Sequence, residues 1–166
     1  MSRQPASNPL RAAAALALLL CLPLARAQDA APPEPLSSFP RTQLRVTGHG
    51  GASHLFDVWV ADTAQRSQQG LMFVSDLPDG KGMVFPLDPP RVENMWMKNT
   101  YIELDMLFVR SDGRLSKIIE RAHPLSLEIL SSDAPVAAVV ELRGGLAAKL
   151  GLKVGDLVRW DKPAAH

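Results

Sequence analysis

From Leu104 to Val109 the chain reads Leu-Asp-Met-Leu-Phe-Val, apolar at every position except Asp105. So short and so uniformly apolar a run is predicted to be a strand buried inside a sheet, which commits the fold to a β-rich core. Directly upstream, Met95-Trp96-Met97-Lys98-Asn99-Thr100 sets three polar side chains after an indole and two thioethers. Core and chemistry are therefore expected to meet in this stretch.

The remaining elements are short as well. Leu44 to Val46 reads as a first strand. In His54 to Ala61, Phe56, Val58 and Val60 alternate with Leu55, Asp57 and Trp59, the period of a strand with one apolar side. Asp62-Thr63 offers an N-cap for a helical turn from Ala64 to Gln69, closed by Gly70. Gly82 to Phe85 is a short strand stopped by Pro86, and Ser111-Asp112-Gly113 turns Leu104–Val109 back into a strand from Leu115 to Arg121. Pro124 to Ser132 fits either a strand or a loop. Val136 to Leu142 reads as a buried strand, Gly144 to Leu150 as a small helix capped by Gly151, and Val154 to Trp160 as a turn and a last strand. Seven or eight strands, two short helices and no parallel βαβ pattern predict a mostly β fold (α+β by strict count), an antiparallel β-sandwich or curled barrel.

Residues 1–27 have the form of a secretory signal peptide. Arg3 and Arg11 precede an apolar run from Ala12 to Leu24, and Ala25-Arg26-Ala27 carries the small-x-small cleavage pattern. The apolar run is too short for a stable membrane span, and Leu20 stands before Cys21 where a lipoprotein carries a small residue. The expected destination is the periplasm or the exterior. Residues 28–41, with Pro32, Pro33, Pro35 and Pro40, read as a disordered Pro/Ala-rich leader, and residues 42–161 as a single domain. Cleavage after Ala27 removes three arginines and no acids, leaving 15 Lys and Arg against 17 Asp and Glu. That balance disfavours a nucleic-acid partner.

Thr63 with Arg66, Gly70-Leu71-Met72, Gly82-Met83-Val84-Phe85, Trp96-Met97-Lys98-Asn99-Thr100, Leu104-Asp105-Met106, Glu141-Leu142 and Gly155-Asp156 together resemble the domain of unknown function 192 family, from about Leu44 to Trp160. The family pattern usually has Glu, Phe and Pro where this chain has Gln65, Met95 and Glu103. The resemblance implies a compact, exported, mostly β domain and no established reaction.

Three constellations carry chemistry. If Trp96 to Thr100 is extended, Trp96, Lys98 and Thr100 share one face, and with Asn99 they compose a pocket for a small polar or anionic molecule, Arg66 lying nearby. The competing reading is a turn in which Asn99 satisfies backbone groups and Trp96 packs in the core. Asp105 and Glu141, carboxylates in strands that otherwise read as buried, are candidates for the acid and base of a hydrolase, or for ion pairs with Lys98 and Arg66. Met72, Met83, Met95, Met97 and Met106, with His54 or His123, would suit Cu(I), although the spacing specifies no metal site and no cofactor is expected. The function expected is therefore that of a monomeric, exported, small-ligand-binding domain, with a hydrolase, a Cu(I) binder or a protein-interaction domain as alternatives.

Overall fold

Two apolar sets of opposite orientation organise the sheet, because the alternating strands of the sequence bury one face and the uniformly apolar ones bury both. The structure, a computed structural model, describes residues 32–161. The signal peptide, Cys21 and residues 28–31 of the leader lie outside the described residues. In chain order the elements are β1 (Arg41–Thr47), β2 (Ser53–Val60), α1 (Ala64–Gln69), β3 (Lys81–Arg91), β4 (Asn94–Met95), β5 (Leu104–Val109), β6 (Leu115–Ala122), β7 (Leu130–Ser131), β8 (Val136–Arg143), α2 (Leu146–Leu150) and β9 (Leu157–Trp160).

Seven strands form one sheet in the order β6-β5-β8-β3-β2-β1-β9, and β4 pairs with β7 in a small second sheet. All pairs in the large sheet are antiparallel except β2 with β3. This parallel pair departs from the expectation of no βαβ unit. The connection from Ala61 to Gly80 holds α1 and is long enough to cross over, but a six-residue helix leaves almost no periodicity to read. The sheet curls until Arg114 bridges Leu157, where the Leu115 N–H donates to the Asp156 carbonyl at 2.9 Å. The edges meet at this corner without a continuous ladder, a curled sheet and not a closed barrel.

One face packs Leu44, Val46, Phe56, Val58, Val60, Leu107 and Val140 against α2. The other packs Met83, Phe85, Met106, Phe108 and Val139 under the segments that carry Leu71, Leu77 and Met97. β5, between β6 and β8, is consequently buried along its whole length. β3 does not stop at Pro86. Its pairing with β2 ends at Val84, so the prolines beyond it lie where the strand has a partner on one side only and a missing N–H is tolerated.

The leader also differs from expectation over its described part. Leu36–Ser38 makes a 3-10 turn, Phe39 is buried, and the Glu34 N–H and carbonyl both bond the Gln69 side chain at 2.7 Å. A buried aromatic and a two-way amide bond hold a proline-rich segment that composition alone reads as disordered. No helix among the described residues is long and apolar enough to cross a membrane.

Candidate functional site

Strand register builds the floor of the site. Trp59 on β2 stands beside Met83 on β3, Met83 beside Glu141 on β8, Glu141 beside Met106 on β5, and Met106 beside Ile119 on β6. One carboxyl is thus inserted into a cross-strand row of apolar side chains, between two fully buried thioethers. Glu141 is 4% exposed, and its Oε2 is buried with no hydrogen-bond partner among the described residues. Burial among apolar neighbours disfavours the ionised form and pushes its pKa up to about 8. Near neutral pH the group is mostly a neutral acid, with a proton to donate.

Above this floor lies a cavity of about 270 Å³, lined on one side by Ser67 to Met72 at the end of α1, on another by Phe85, Leu87 and Arg91 of β3, and on the rest by Glu93 to Trp96 and Thr100. α1 is placed as its sequence specifies. The Thr63 hydroxyl accepts from the Arg66 N–H, and Gly70 ends the helix at φ 51, ψ −136, a conformation that only glycine adopts without strain. A β-carbon on Gly70 would stand 3.3 Å from the Phe85 ring, so the residue also lets that ring close the cavity wall. Arg91 and Glu93 pair with each other at 2.9 Å. Ser67 donates to the Ala61 carbonyl, and the Gln69 amide is engaged by Glu34. The Thr100 hydroxyl has only a 3.4 Å contact to the Lys98 carbonyl and is nearly free to serve a ligand.

Trp96 to Thr100 is a turn and not a strand, which corrects the shared-face pocket. The Thr100 N–H donates to the Met97 carbonyl at 3.1 Å, and Asn99 takes φ 56, the left-handed region that asparagine tolerates better than most residues. The Asn99 carbonyl accepts from the Phe73 N–H at 2.9 Å, tying the turn to the segment after α1. Met97 is driven into the core. Trp96 remains 42% exposed at the cavity wall instead of packing inside, and the Lys98 ammonium lies 5.2 Å from its ring centroid. Lys98 and Asn99 are not among the lining residues.

Arg66 is not there either. Its guanidinium bonds Asp62 at 2.7 Å, Glu34 at 3.2 Å and the Ser38 carbonyl, and lies over the Phe39 ring. Its task is to hold the leader against α1. Asp105 and Glu141 do not form a catalytic pair, because Asp105 stands beside Leu142 in the register and points to the opposite face of the sheet from Glu141. Asp105 accepts the Arg121 and Gly145 N–H groups at 2.8 Å through Oδ1 and the Ala147 N–H at 2.7 Å through Oδ2. Fully buried, it caps α2 and fixes the left-handed Arg121. Neither acid pairs with Lys98 or Arg66.

Of the seven residues nominated from sequence, Trp96, Thr100 and Glu141 come together at the cavity and Arg66, Lys98, Asn99 and Asp105 support the structure around it. Sequence reasoning missed Phe85, Arg91, Glu93, Met72 and Gly70, although Gly70-Leu71-Met72 and Gly82-Met83-Val84-Phe85 stand in the family resemblance. Met72 and Met95 line the cavity, whereas Met83, Met97 and Met106 are core. His54 and His123 take no part, and no group of three or more His, Cys, Asp or Glu fit to hold a metal occurs among the described residues. Phe73, Tyr101, Leu125, Leu127 and Ile129 are all about half exposed or more, and of these Phe73 and Leu125 bond the turn through their N–H groups.

Residues 45–160 match the family model DUF192, described as an uncharacterized ACR. A crystal structure from Sinorhizobium meliloti 1021, of a protein provisionally assigned as a transcription regulator, is similar at 38% identity and a TM-score of 0.73, covering 74% of this chain and 95% of that one. A protein of unknown function from Novosphingobium aromaticivorans DSM 12444 is similar at 41% identity and a TM-score of 0.73, covering 76% and 90%. No curated protein matches.

Proposed function

The chain belongs to the DUF192 family, and from that premise and the cavity we propose that it is a small exported domain that binds one small polar molecule over Glu141. A single observation carries the reading. A nearly inaccessible carboxyl with an unpartnered oxygen forms part of the lining of a cavity large enough for a compact organic molecule. Burying an unsatisfied polar group costs about 1–3 kcal/mol, a penalty that a bound hydrogen-bonding partner would relieve. The form of residues 1–27 supports export.

The anionic variant of this reading has little behind it, since Arg66 is paired with Glu34 and Asp62, Arg91 is paired with Glu93, and Lys98 is not among the lining residues. A hydrolase would need a second acid free to face Glu141, but Asp105 is on the other side of the sheet and Glu93, the other acid of the lining, is paired with Arg91. The regulator assignment of the Sinorhizobium relative is not carried over, because a processed chain with 15 cationic and 17 acidic residues has the wrong sign of charge for a phosphate backbone.

The test is the melting temperature of the purified protein against saccharides, organic acids, organic amines and Cu(I), with Trp96→Ala beside it. A ligand at 100 times its dissociation constant adds about 2.7 kcal/mol, a rise of about 5 °C or more for a domain of this size. A rise that disappears in Trp96→Ala supports the cavity. No rise with any compound refutes it and leaves the exposed Tyr101, Leu125, Leu127 and Ile129 as the surface to pursue.

A further inference from the structure

We propose that the molecule held over Glu141 is an organic cation, a small ammonium compound with an apolar body, for which Glu141 is the counter-ion. The proposal rests on the cavity reading above and specifies its ligand class.

Four observations lead to it. Glu141 is a buried carboxyl with no partner for Oε2, flanked in the sheet by Met83 and Met106. Besides Glu141 the charged lining residues are Arg91 and Glu93, which neutralise each other at 2.9 Å, while Lys98 lies outside the lining against the Trp96 ring, so among the described residues the lining holds one unpaired acid and no unpaired cation. The walls include the Phe85 ring, a surface that attracts a cation, the Met72 and Met95 thioethers, which solvate an apolar body, and the Trp96 ring, which already holds the Lys98 ammonium 5.2 Å from its centroid and so serves the apolar body. Finally, a volume of about 270 Å³ is far larger than a bare ion requires and suits a compact organic molecule. An anion would hold a further negative charge against this acid, and a neutral alcohol would pair only with its protonated form, whereas an ammonium supplies the counter-charge that lets the carboxyl ionise.

Binding has a defined proton balance. The ammonium keeps its protons, Glu141 releases its own to solvent, and the resulting carboxylate pairs with the ligand. Since the free group titrates near pH 8, affinity should rise roughly tenfold between pH 7 and pH 9, with close to one proton released per ligand bound at pH 7.

The experiment is isothermal calorimetry on the whole protein with 2-phenylethylammonium, 2-phenylethanol and 3-phenylpropanoate. It is run at pH 7 and 9, and at pH 7 in two buffers of different ionisation enthalpy to count protons. The expected result is tightest binding of the ammonium, with proton release, lost in Glu141→Gln and weakened at least tenfold in Trp96→Ala, an exposed position whose replacement preserves the fold. Equal or tighter binding of the alcohol or the propanoate, binding of the ammonium without proton release, or unchanged binding by Glu141→Gln would each overturn the cation proposal. Tight binding of the alcohol or propanoate alone would do so while leaving the cavity reading intact. If none of the three binds, the cation proposal falls, and the wider melting panel decides the cavity reading separately.

Discussion

Glu141→Gln provides a test of the site that needs no ligand. In the unfolded chain the carboxyl titrates at its ordinary value near 4.5, and in the folded protein at about 8. Between these values the folded state holds a proton that the unfolded state has released, so stability falls as pH rises. The contribution is fully present below pH 4.5, declines by about 1.4 kcal/mol per pH unit and is exhausted above pH 8. The whole loss is on the order of 5 kcal/mol, a large fraction of the stability of a small domain. Glutamine keeps the shape and does not titrate. Its amide costs about 1–3 kcal/mol to bury unpaired, so the variant should be no more stable than wild type at pH 5 and more stable by roughly 1–3 kcal/mol at pH 8. Urea melts at half-unit steps from pH 4 to 9 measure both curves. Asp156 titrates in the opposite sense. Burial pushes its pKa up, but the Lys153 N–H, the His49 ring and the His49 N–H together hold it below the usual carboxylate range, so its contribution is lost as pH falls into the acid range. Both proteins share that loss, and it cancels in their difference. Parallel curves for wild type and Glu141→Gln from pH 4.5 to 8 would refute the claim that this carboxyl is desolvated.

Asp105→Ala should cost about 3–5 kcal/mol in urea melts, because it strands three N–H donors at once, one of them buried and two partly buried; a loss under 1 kcal/mol would contradict its role as a cap. Gly70→Ala should destabilise by about 1–3 kcal/mol through its positive φ and the Phe85 ring, and a melting temperature equal to wild type would show that the turn relaxes freely. Asn99→Gly should leave the melting temperature nearly unchanged, while Asn99→Val lowers stability by roughly 1–2 kcal/mol, the contrast that marks a left-handed turn position and not a ligand contact. Lys98→Ala, on an exposed side chain outside the cavity, should change stability by less than about 0.5 kcal/mol; a larger effect would give its contact with Trp96 more weight than a surface cation is due.

Most strands were legible because side-chain alternation follows burial directly. Phe56, Val58 and Val60 could face only a core, and Thr63 with Gly70 bracketed α1 by capping chemistry alone. Pro86 misled because a proline's effect depends on whether its strand has partners on both sides, which is a property of the neighbours. The parallel β2–β3 pair was hidden for a similar reason: β2 and β3 meet through the sheet order, and nothing local to either strand states its direction relative to the other. Trp96 to Thr100 fitted a strand and a turn about equally well, and the tie was broken by the Phe73 N–H reaching the Asn99 carbonyl, a contact across the fold. The cavity itself draws on α1, β3, the Glu93 to Trp96 segment and β8, so no window of the sequence contains it.

Asp105 and Glu141 show why residue type and local pattern do not assign chemistry. Each is an acid in an apolar strand, each is buried, and they sit one register step apart on adjacent strands. That single step sends Asp105 to the face where α2 begins, and three N–H groups converge on it. The same step sends Glu141 to the face where the row on either side is methionine, and no hydrogen bond reaches its Oε2. A buried acid whose hydrogen-bonding capacity is met by backbone is part of the fold, and replacing it should be felt as lost stability. A buried acid left unmet stores an unfavourable free energy that only a proton or a ligand can relieve, and replacing it should cost little or even stabilise. The opposite signs expected for Asp105→Ala and Glu141→Gln near pH 8 therefore separate structure from site within one pair of strands, and two variants of the same sign would remove the argument that Glu141 is there for anything but packing.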